Sequence, residues 1–333
     1  MVATALKRYV SSTVGAAIFL GVFYTLGFGN TWRALAGARF QYIGLTLVLF
    51  VASSYLRMYK WVLMRDRTGS VLSFSEINGL FFFSKFWGLV SPMRSGEIAP
   101  ALFRSGKDGQ RGRLLSIILY DRVIETFQSL TVFVAMFFLL YGELFDMSMA
   151  YALAAIFVVL AMFSFVMVSR RTGERVFAMS DAALGFFDRS GLARSLRKFL
   201  QGARGGMEEF YESTKSYFTP WFSLYCLFIT FVCWGIDMIF WIVLFRAFQM
   251  DTSILVTLAS VTAYTMVAAI APTPNGLGIS DLSFALILKR FGYLGEVGGL
   301  IIVSRILVLG YTFFGYLLFA PAAVKPVKEE GGV

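Results

Sequence analysis

Charged side chains interrupt the apolar segments of this sequence at positions where burial is costly. Asp121, Arg122 and Glu125 stand within the apolar segment 114–141, and the two carboxylates are one helical turn apart. A charge at the centre of a bilayer costs about 2.5–3.5 kcal/mol on insertion scales, so it has a partner or lines a water-filled cavity. Neighbouring carboxylates repel in a low dielectric, which predicts a basic partner or a shared proton. The alternatives are an ion-pair lock between helices and an interfacial position near the headgroups.

Two further charges lie inside apolar segments of the second half of the chain. Asp237 stands in segment 221–248 and Arg305 in segment 297–320. We expect the two side chains to form a buried ion pair. A proton relay through Asp237 and a phosphate contact by Arg305 are the alternatives.

A turn follows the apolar run 71–90 and reads Pro92-Met93-Arg94-Ser95-Gly96-Glu97. An arginine there is suited to bidentate binding of phosphate, because its planar guanidinium presents paired donors. Arg94 and Glu97, together with Arg122, are therefore candidate ligands of an anionic substrate. The alternative is a loop at the membrane surface in which Arg94 contacts lipid non-specifically.

A second break, Pro272 to Gly278, reads Pro-Thr-Pro-Asn-Gly-Leu-Gly. We expect it to expose backbone N–H groups at the start of the next helix, which would favour an anion such as a lipid phosphate. Asn275, Gly276 and Gly278 thereby join Arg305 as candidate substrate-binding residues. The alternative is a simple helix breaker. Asp281 is expected to cap the helix that follows.

Several kinds of chemistry are excluded by what the sequence lacks. It has no histidine, which removes His-based acid–base catalysis, Ser-His-Asp triads and nearly all zinc sites. Cys226 and Cys233 share one apolar segment and are expected to be packing residues. No nucleotide-binding P-loop and no nucleic-acid motif occur. We therefore expect no catalytic residue, no cofactor, no metal and no nucleic-acid partner.

Composition identifies a membrane protein whose helices must position these residues. Of its 333 residues, 58% are hydrophobic and 15% are charged, well below the roughly 25% typical of soluble proteins. The net charge of +10 fits a positive-inside bias. A span needs about 20 apolar residues, and six segments have that length: 9–29, 42–64, 114–141, 149–168, 221–248 and 297–320. A short polar bridge, 30–41, separates the first two.

Two apolar stretches are too interrupted to span, namely 71–92 and 252–291. We expect each to be a re-entrant or broken segment buried in protein. If the N- and C-termini are cytoplasmic, the two segments enter from opposite faces. Gly/Pro-interrupted segments at corresponding positions of two halves indicate a transport site near the midplane. The predicted fold is an all-α polytopic bundle, for which inverted repeats are a hypothesis because no sequence repeat is visible.

The rest of the layout follows from charge placement. Residues 1–333 are expected to form a single transmembrane domain of a cell inner membrane. Stretch 169–219 mixes both charge signs with apolar residues at helical spacing, which predicts amphipathic helices on the cytoplasmic surface. Arg57 and Lys60, in the lower half of the second span, are expected to snorkel to the headgroups.

Taken in order, the motifs resemble a known family. They are Pro92-x-x-x-Gly96-Glu97, Asp121-Arg122, the break from Pro272 to Gly278, and Arg305. This pattern resembles the lysylphosphatidylglycerol synthase transmembrane region, a flippase-like family, over about residues 10–320. Two positions depart from the family pattern, which commonly has Gly at Asn275 and Glu at Asp281. In bifunctional members an aminoacyl-transferase domain follows, and this sequence ends at Val333 without one.

The resemblance implies a lipid transporter that moves an anionic or modified phospholipid, or an isoprenoid-linked lipid, between leaflets. Asp121, Glu125 and Asp237 would serve in ion coupling or as ion pairs, and membrane lipids would be the partners. One alternative is a membrane-embedded transferase that acts on a lipid. Another is a non-catalytic membrane subunit of envelope synthesis, and a homo-oligomer or a partner membrane enzyme stays open in each case.

Overall fold

The computed structural model describes residues 17–22, 24–69, 72–92, 94–103, 109–139, 207–293 and 295–324. These ranges are mostly helical and contain no strand. Three helices are long and apolar enough to cross a membrane. The all-α membrane fold expected from the sequence is therefore confirmed. The three helices are Phe40–Arg67, Pro220–Ala247 and Val297–Phe319.

The first half of the chain begins with an apolar helical stretch, Ala17–Leu26, followed by five helices and a 3₁₀ turn. In order these are α1 (Phe28–Ala36), α2 (Phe40–Arg67), α3 (Phe74–Val90), a 3₁₀ turn (Ser95–Ile98), α4 (Ala99–Phe103) and α5 (Gly109–Leu139). The second half has α6 (Met207–Tyr217), α7 (Pro220–Ala247), α8 (Ile254–Ile270), α9 (Ile279–Arg290) and α10 (Val297–Val324).

The two interrupted helices, α3 and α8, start and stop for the same physical reasons. Each begins at a serine N-cap, because Ser73 Oγ accepts from the Glu76 N–H and Ser253 Oγ accepts from the Val256 N–H. Each ends at a residue that precedes a proline, Ser91 or Ala271, whose ψ angles are 147° and 136°. A following proline disfavours helical ψ, so both helices stop there.

Helices α2 and α7 mark corresponding positions of an internal repeat. Both contain 28 residues, and α3 and α8, which follow them, both contain 17. Each element of the second set lies 180 residues after its counterpart, the separation that also joins Ser53 to Cys233. At this separation Ser53 Oγ lies 3.5 Å from the Cys233 carbonyl oxygen, and Cys233 Sγ lies 3.8 Å from the Ser53 carbonyl oxygen. Such reciprocal contacts are the signature of a two-fold axis.

The two repeats run in opposite directions through the membrane. At the start of α2, the Arg39 N–H donates to the carbonyl of Ala247 at the end of α7 (2.9 Å). At the end of α2, the Arg67 guanidinium lies 4.8 Å from the ring centroid of Phe222, near the start of α7. Helices α2 and α7 are therefore antiparallel along their length. The pseudo-two-fold axis consequently runs across the two helices, which is the arrangement that an inverted repeat requires.

The first re-entrant hairpin comprises residues 74–103 and turns back on itself. The Ser84 hydroxyl donates to the Glu97 carbonyl (2.7 Å), so the returning chain packs along α3. At the start of α5, Arg113 donates to the Gly69 carbonyl (3.1 Å), which precedes α3. The chain therefore leaves on the side where it entered.

The second re-entrant hairpin comprises residues 254–290 and behaves likewise. Tyr264 of α8 faces Phe284 of α9, with ring centroids 5.5 Å apart. After α9 the Tyr293 hydroxyl donates to the carbonyl of Asp251, before α8 (2.6 Å). Because α2 and α7 are antiparallel, the two hairpins enter the bundle from opposite ends.

The tips of the two hairpins meet inside the bundle. An isolated antiparallel bridge pairs Pro92 with Pro274. Each hairpin also belongs to its own hydrophobic core: Trp61 and Ile77 lie in the first core, and Trp241 and Phe284 in the second. The prolines that break the helices are therefore where the two halves come together.

Some expectations for the connecting segments differ from the structure or fall outside it. The predicted polar bridge 30–41 contains most of helix α1. Thr31 of this helix packs against Gly298 of α10, and a Cβ at position 298 would collide with the Thr31 side chain. Segment 149–168 lies outside the described residues. Of stretch 169–219, the structure describes the end, including α6, and its surface location remains a prediction.

Candidate functional site

The central charge network lies where the first hairpin meets α2, α5 and α7. Its charged groups come from α2, α3, the turn that follows α3, α5 and α7, and each lies in or beside an apolar segment where isolated charges are expensive. The network consists of the cations Arg57, Lys60, Lys85, Arg94 and Arg122 and the carboxylates Glu97, Asp121, Glu125 and Asp237.

Asp121 is the most deeply buried carboxylate of the network. Its Oδ1 lies 2.6 Å from Lys60 Nζ, and the two side chains are 1% and 0% exposed. The Trp61 indole N–H donates to Asp121 Oδ2 (2.9 Å), and Lys60 Nζ also donates to Thr230 Oγ1 (2.9 Å). The basic partner expected for Asp121 is confirmed. The expectation that Lys60 snorkels is wrong, because a buried anion one helix away stabilises its charge in place.

Glu125 is held more loosely than Asp121. Arg122 Nη1 lies 2.9 Å from Glu125 Oε2, and Lys85 Nζ lies 3.5 Å from Glu125 Oε1. Lys85 Nζ is also 3.9 Å from Asp121 Oδ2, so one ammonium lies between the two carboxylates. The second carboxylate of the pair therefore also has basic partners, supplied by its own helix and by α3.

Glu97 fastens the tip of the first hairpin to α5. Its carboxylate lies 2.6 Å from Arg122 Nε, and the Glu97 side chain is buried. Gly96 is needed beside it, because a Cβ there would collide with the Trp87 carbonyl. Arg122 thus bridges two carboxylates while its own side chain stays 25% exposed.

Asp237 pairs with Arg57, and the expected pairing with Arg305 is wrong. Arg57 Nη2 contacts Asp237 Oδ2, and the Ser53 hydroxyl donates to Asp237 Oδ1 (2.7 Å). Arg57 and Asp237 are 180 residues apart, so they occupy equivalent positions of the two repeats beside the pseudo-two-fold axis. Arg57 therefore meets its counter-ion inside the bundle and does not snorkel.

Arg94 lies at the tip of the first hairpin and differs from the other cations. Its Nε is buried without a hydrogen-bond partner, and no ion pair within the described part of the chain includes it. Its backbone is left-handed, with φ of 52°. A non-glycine residue in that region is strained and is often found at functional sites. Its guanidinium interacts electrostatically with the side chains of Glu97, Arg122, Glu125 and Tyr264.

Arg305 closes the second hairpin rather than lying open. Its Nη2 lies 2.9 Å and 3.0 Å from the two Asp281 carboxylate oxygens and donates to Ser280 Oγ (3.0 Å). Its Nη1 donates to the Asn275 carbonyl (3.0 Å), and its guanidinium lies 5.3 Å from the Tyr264 ring centroid. Arg305 is thus a positioning residue that holds the break against α10.

The backbone amides of the second break are used within the chain. The Gly276 N–H donates to the Thr273 carbonyl, and the Leu277 N–H donates to the Pro274 carbonyl. The Gly278 N–H donates to Asp281 Oδ2 (2.9 Å), which confirms the expected capping role of Asp281. The expectation that Gly276 and Gly278 offer free amides to an anion is therefore not met.

Six network side chains remain partly accessible although they lie within the bundle. Lys85 and Glu125 are each 19% exposed, and Arg57 and Asp237 are 22% and 27% exposed. Arg122 and Arg94 are also partly exposed. Charged groups near the middle of spanning helices do not face hydrocarbon without a large cost. We therefore expect their exposed parts to face a polar space rather than lipid.

The balance of charge gives this space its chemical character. The network holds five cations against four carboxylates, and the cation without a carboxylate partner is Arg94. No group of metal-ligating residues occurs in the part of the chain that is described. Since each network carboxylate is already ion-paired, the arrangement is suited to binding one anionic group.

Sequence reasoning missed Arg57 and Lys60 as members of this site. Both were assigned to the headgroup region because they lie towards one end of a long apolar run. Arg57 is residue 18 of the 28 in α2, however, which places it well inside the helix. Comparing position 57 with position 237 would have revealed opposite charges at equivalent places.

Comparison with known proteins gives one family match. The model of the family described as "Lysylphosphatidylglycerol synthase TM region" matches residues 9–319. No curated protein gives a significant match.

Proposed function

The chain belongs to the lysylphosphatidylglycerol synthase transmembrane-region family, and from this membership we propose that it moves an anionic lipid between the two leaflets of a membrane. The family implies a role in membrane lipid metabolism. A transporter is the function that the site supports best, because its accessible charged groups are arranged to hold an anion.

Arg94 is the observation that carries the proposal. It contributes a guanidinium without a counter-ion, at the point where the tips of two oppositely inserted hairpins meet. Arginine binds phosphate with two parallel hydrogen bonds. The headgroup phosphate would thus pair with Arg94, bordered by Arg122 and Lys85, while the acyl chains stay in the surrounding lipid.

The inverted repeats suggest how the headgroup would change sides. In such folds the substrate binds near the midplane, and one repeat moves against the other to open the site to each face in turn. The conformation of the two hairpin tips would be maintained by Glu97, Asn275, Gly276, Gly278 and Arg305. We place the protein in the cytoplasmic membrane with both termini in the cytoplasm.

The test measures lipid movement in reconstituted vesicles. Fluorescent phospholipids of differing headgroup are scored by their accessibility to dithionite, for the wild type, Arg94→Gln and Arg246→Gln. Arg246 forms an exposed pair with Asp251, with side-chain exposures of 54% and 82%, and serves as the matched control. We expect the wild type and Arg246→Gln to move anionic lipids, and Arg94→Gln to lose at least about tenfold in rate, as for a charged hydrogen bond of about 1.5–3 kcal/mol.

Two outcomes would contradict the proposal. Unchanged transport by Arg94→Gln would remove Arg94 from the site. If no lipid moves with wild-type protein, in vesicles with and without an ion gradient, the transporter assignment fails and a transferase or scaffold function becomes the better explanation.

A further inference from the structure

The Arg57–Asp237 pair is the charged pair that joins the two repeats to each other. Its members occupy equivalent positions, 180 residues apart, on antiparallel helices. If the repeats exchange conformations during transport, each residue takes the surroundings of its counterpart. Arg57 and Asp237 are each other's counterparts, so an exchange of the two repeats leaves the pair intact. The pair therefore stays at the pseudo-two-fold axis while the site opens to each face in turn.

The pair is also less enclosed than the other network pair that joins α2 to a second helix. Arg57 and Asp237 are 22% and 27% exposed, whereas Lys60 and Asp121 are 0% and 1% exposed. A buried pair with several bonds is suited to holding helices together. A partly exposed pair can exchange partners, because a ligand or a water molecule can reach it.

From this geometry, and resting on the proposed transport function, we infer that Asp237 is a proton-binding site that couples lipid movement to a proton gradient. A headgroup phosphate that enters at Arg94, beside Arg122, then competes with Asp237 for Arg57. Asp237, without its counter-ion in a low-dielectric region, then takes one proton from the water that it faces. One negative and one positive charge enter together, so the loaded site keeps its net charge.

The surroundings of the pair support this choice of carboxylate. The charged and titratable groups nearest to it are Lys60 on α2, Arg122 and Glu125 on α5 and Cys233 on α7. Lys60 is already bound to Asp121, and Glu125 has both Arg122 and Lys85 as partners. Asp237 has one cationic partner, Arg57, so a single exchange frees it.

Vesicles of phosphatidylcholine with a trace of fluorescent phosphatidylglycerol test the inference. A pH gradient is imposed, dithionite reports the leaflet of the lipid, and a trapped dye reports the internal pH. We expect wild-type protein to drive the lipid towards the alkaline side, by up to about tenfold per pH unit for one proton per lipid. Protein-free vesicles give the baseline.

Two variants separate coupling from transport. Asp237→Asn is expected to lose the response to the gradient, whereas Asp251→Asn, at a carboxylate 82% exposed, is expected to keep it. The Arg57→Gln/Asp237→Asn double variant removes both charges, so no uncompensated charge is left buried. It should also lose the response, and the thermal midpoint in detergent verifies that each variant is folded.

The outcomes distinguish this inference from the function on which it rests. A gradient response retained by folded Asp237→Asn overturns the coupling role. Wild-type lipid movement that ignores the gradient overturns coupling and leaves transport intact. Absence of wild-type movement overturns both. Calorimetry with short-chain phosphatidylglycerol in buffers of different ionisation enthalpy gives a transport-independent readout: uptake of about one proton per bound lipid is expected in the wild type and none in Asp237→Asn.

Discussion

The buried charged residues of this protein differ in whether they have a partner within the protein. Lys60 and Asp121 are closed off from water and held by their ion pair and by hydrogen bonds to Thr230 and Trp61, so they act as a lock. Arg94 is partly exposed, but its Nε is buried without a hydrogen-bond partner. A buried polar group without a partner is unfavourable unless something else binds it, which is why we assign the ligand to Arg94.

The lock makes a prediction about stability. Lys60→Met leaves the Asp121 carboxylate buried without its ammonium, and removing one partner of a buried pair costs about 3–5 kcal/mol. We expect a loss of that order in equilibrium unfolding in mixed detergent micelles. The Lys60→Met/Asp121→Leu double variant should regain most of it, since no isolated charge remains.

The control for the lock is an exposed pair in the same chain. Arg246→Met breaks the exposed pair with Asp251 and should cost no more than about 1 kcal/mol. If Lys60→Met destabilises the protein no more than Arg246→Met does, then Asp121 has another partner of equal strength.

At the scale of elements, the two re-entrant hairpins show which features the sequence could predict. The serine caps, the prolines and the apolar runs are local signals, so the bounds of α3 and α8 were predicted to within a few residues. The ion pairs were not, because Lys60 and Asp121 are 61 positions apart in sequence and only packing brings them together. The basic partner of Asp121 could thus be predicted as a type of residue and not as a position.

Gly276 lies at a turn of the second re-entrant hairpin that requires a left-handed backbone conformation. Its φ is +68°, and a Cβ there would lie 2.7 Å from the Ala268 Cα. A left-handed conformation costs an L-residue about 1–2 kcal/mol before any clash is counted. Gly276→Ala should therefore lower the unfolding free energy by at least that amount and open the second re-entrant hairpin.

Gly310 is the matched position for this test. It lies inside α10, and nothing lies within 4 Å of a Cβ placed there. Gly310→Ala should be neutral or stabilising by up to about 1 kcal/mol, because alanine is the better helix former. Thermal unfolding of both variants in one detergent makes the comparison, and equal effects would show that the Gly276 turn can relax.

The whole molecule is organised by a repeat that its sequence hides. Some equivalent positions, 180 residues apart, carry the same residue type. In α2 and α7 these are Leu47 and Leu227, Met58 and Met238, and Trp61 and Trp241, and in the hairpin tips they are Gly96 and Gly276. Most other positions differ, since lipid-facing positions accept any apolar residue. The repeat is preserved in helix lengths, caps and the tryptophan of each core, which is why it is recognised from structure rather than from composition.

Inverted topology makes a prediction that needs no knowledge of the substrate. Asp66 lies at the end of α2 and Asp251 lies just after α7, with side chains 58% and 82% exposed. Because α2 and α7 are antiparallel, Asp66→Cys and Asp251→Cys should react with a membrane-impermeant maleimide from opposite faces of sealed vesicles. Cys226 and Cys233 are buried and should add little background, and permeabilised vesicles should label both variants equally. Labelling of both sites from one face would contradict the inverted repeat, and with it the midplane position of the Arg57–Asp237 pair.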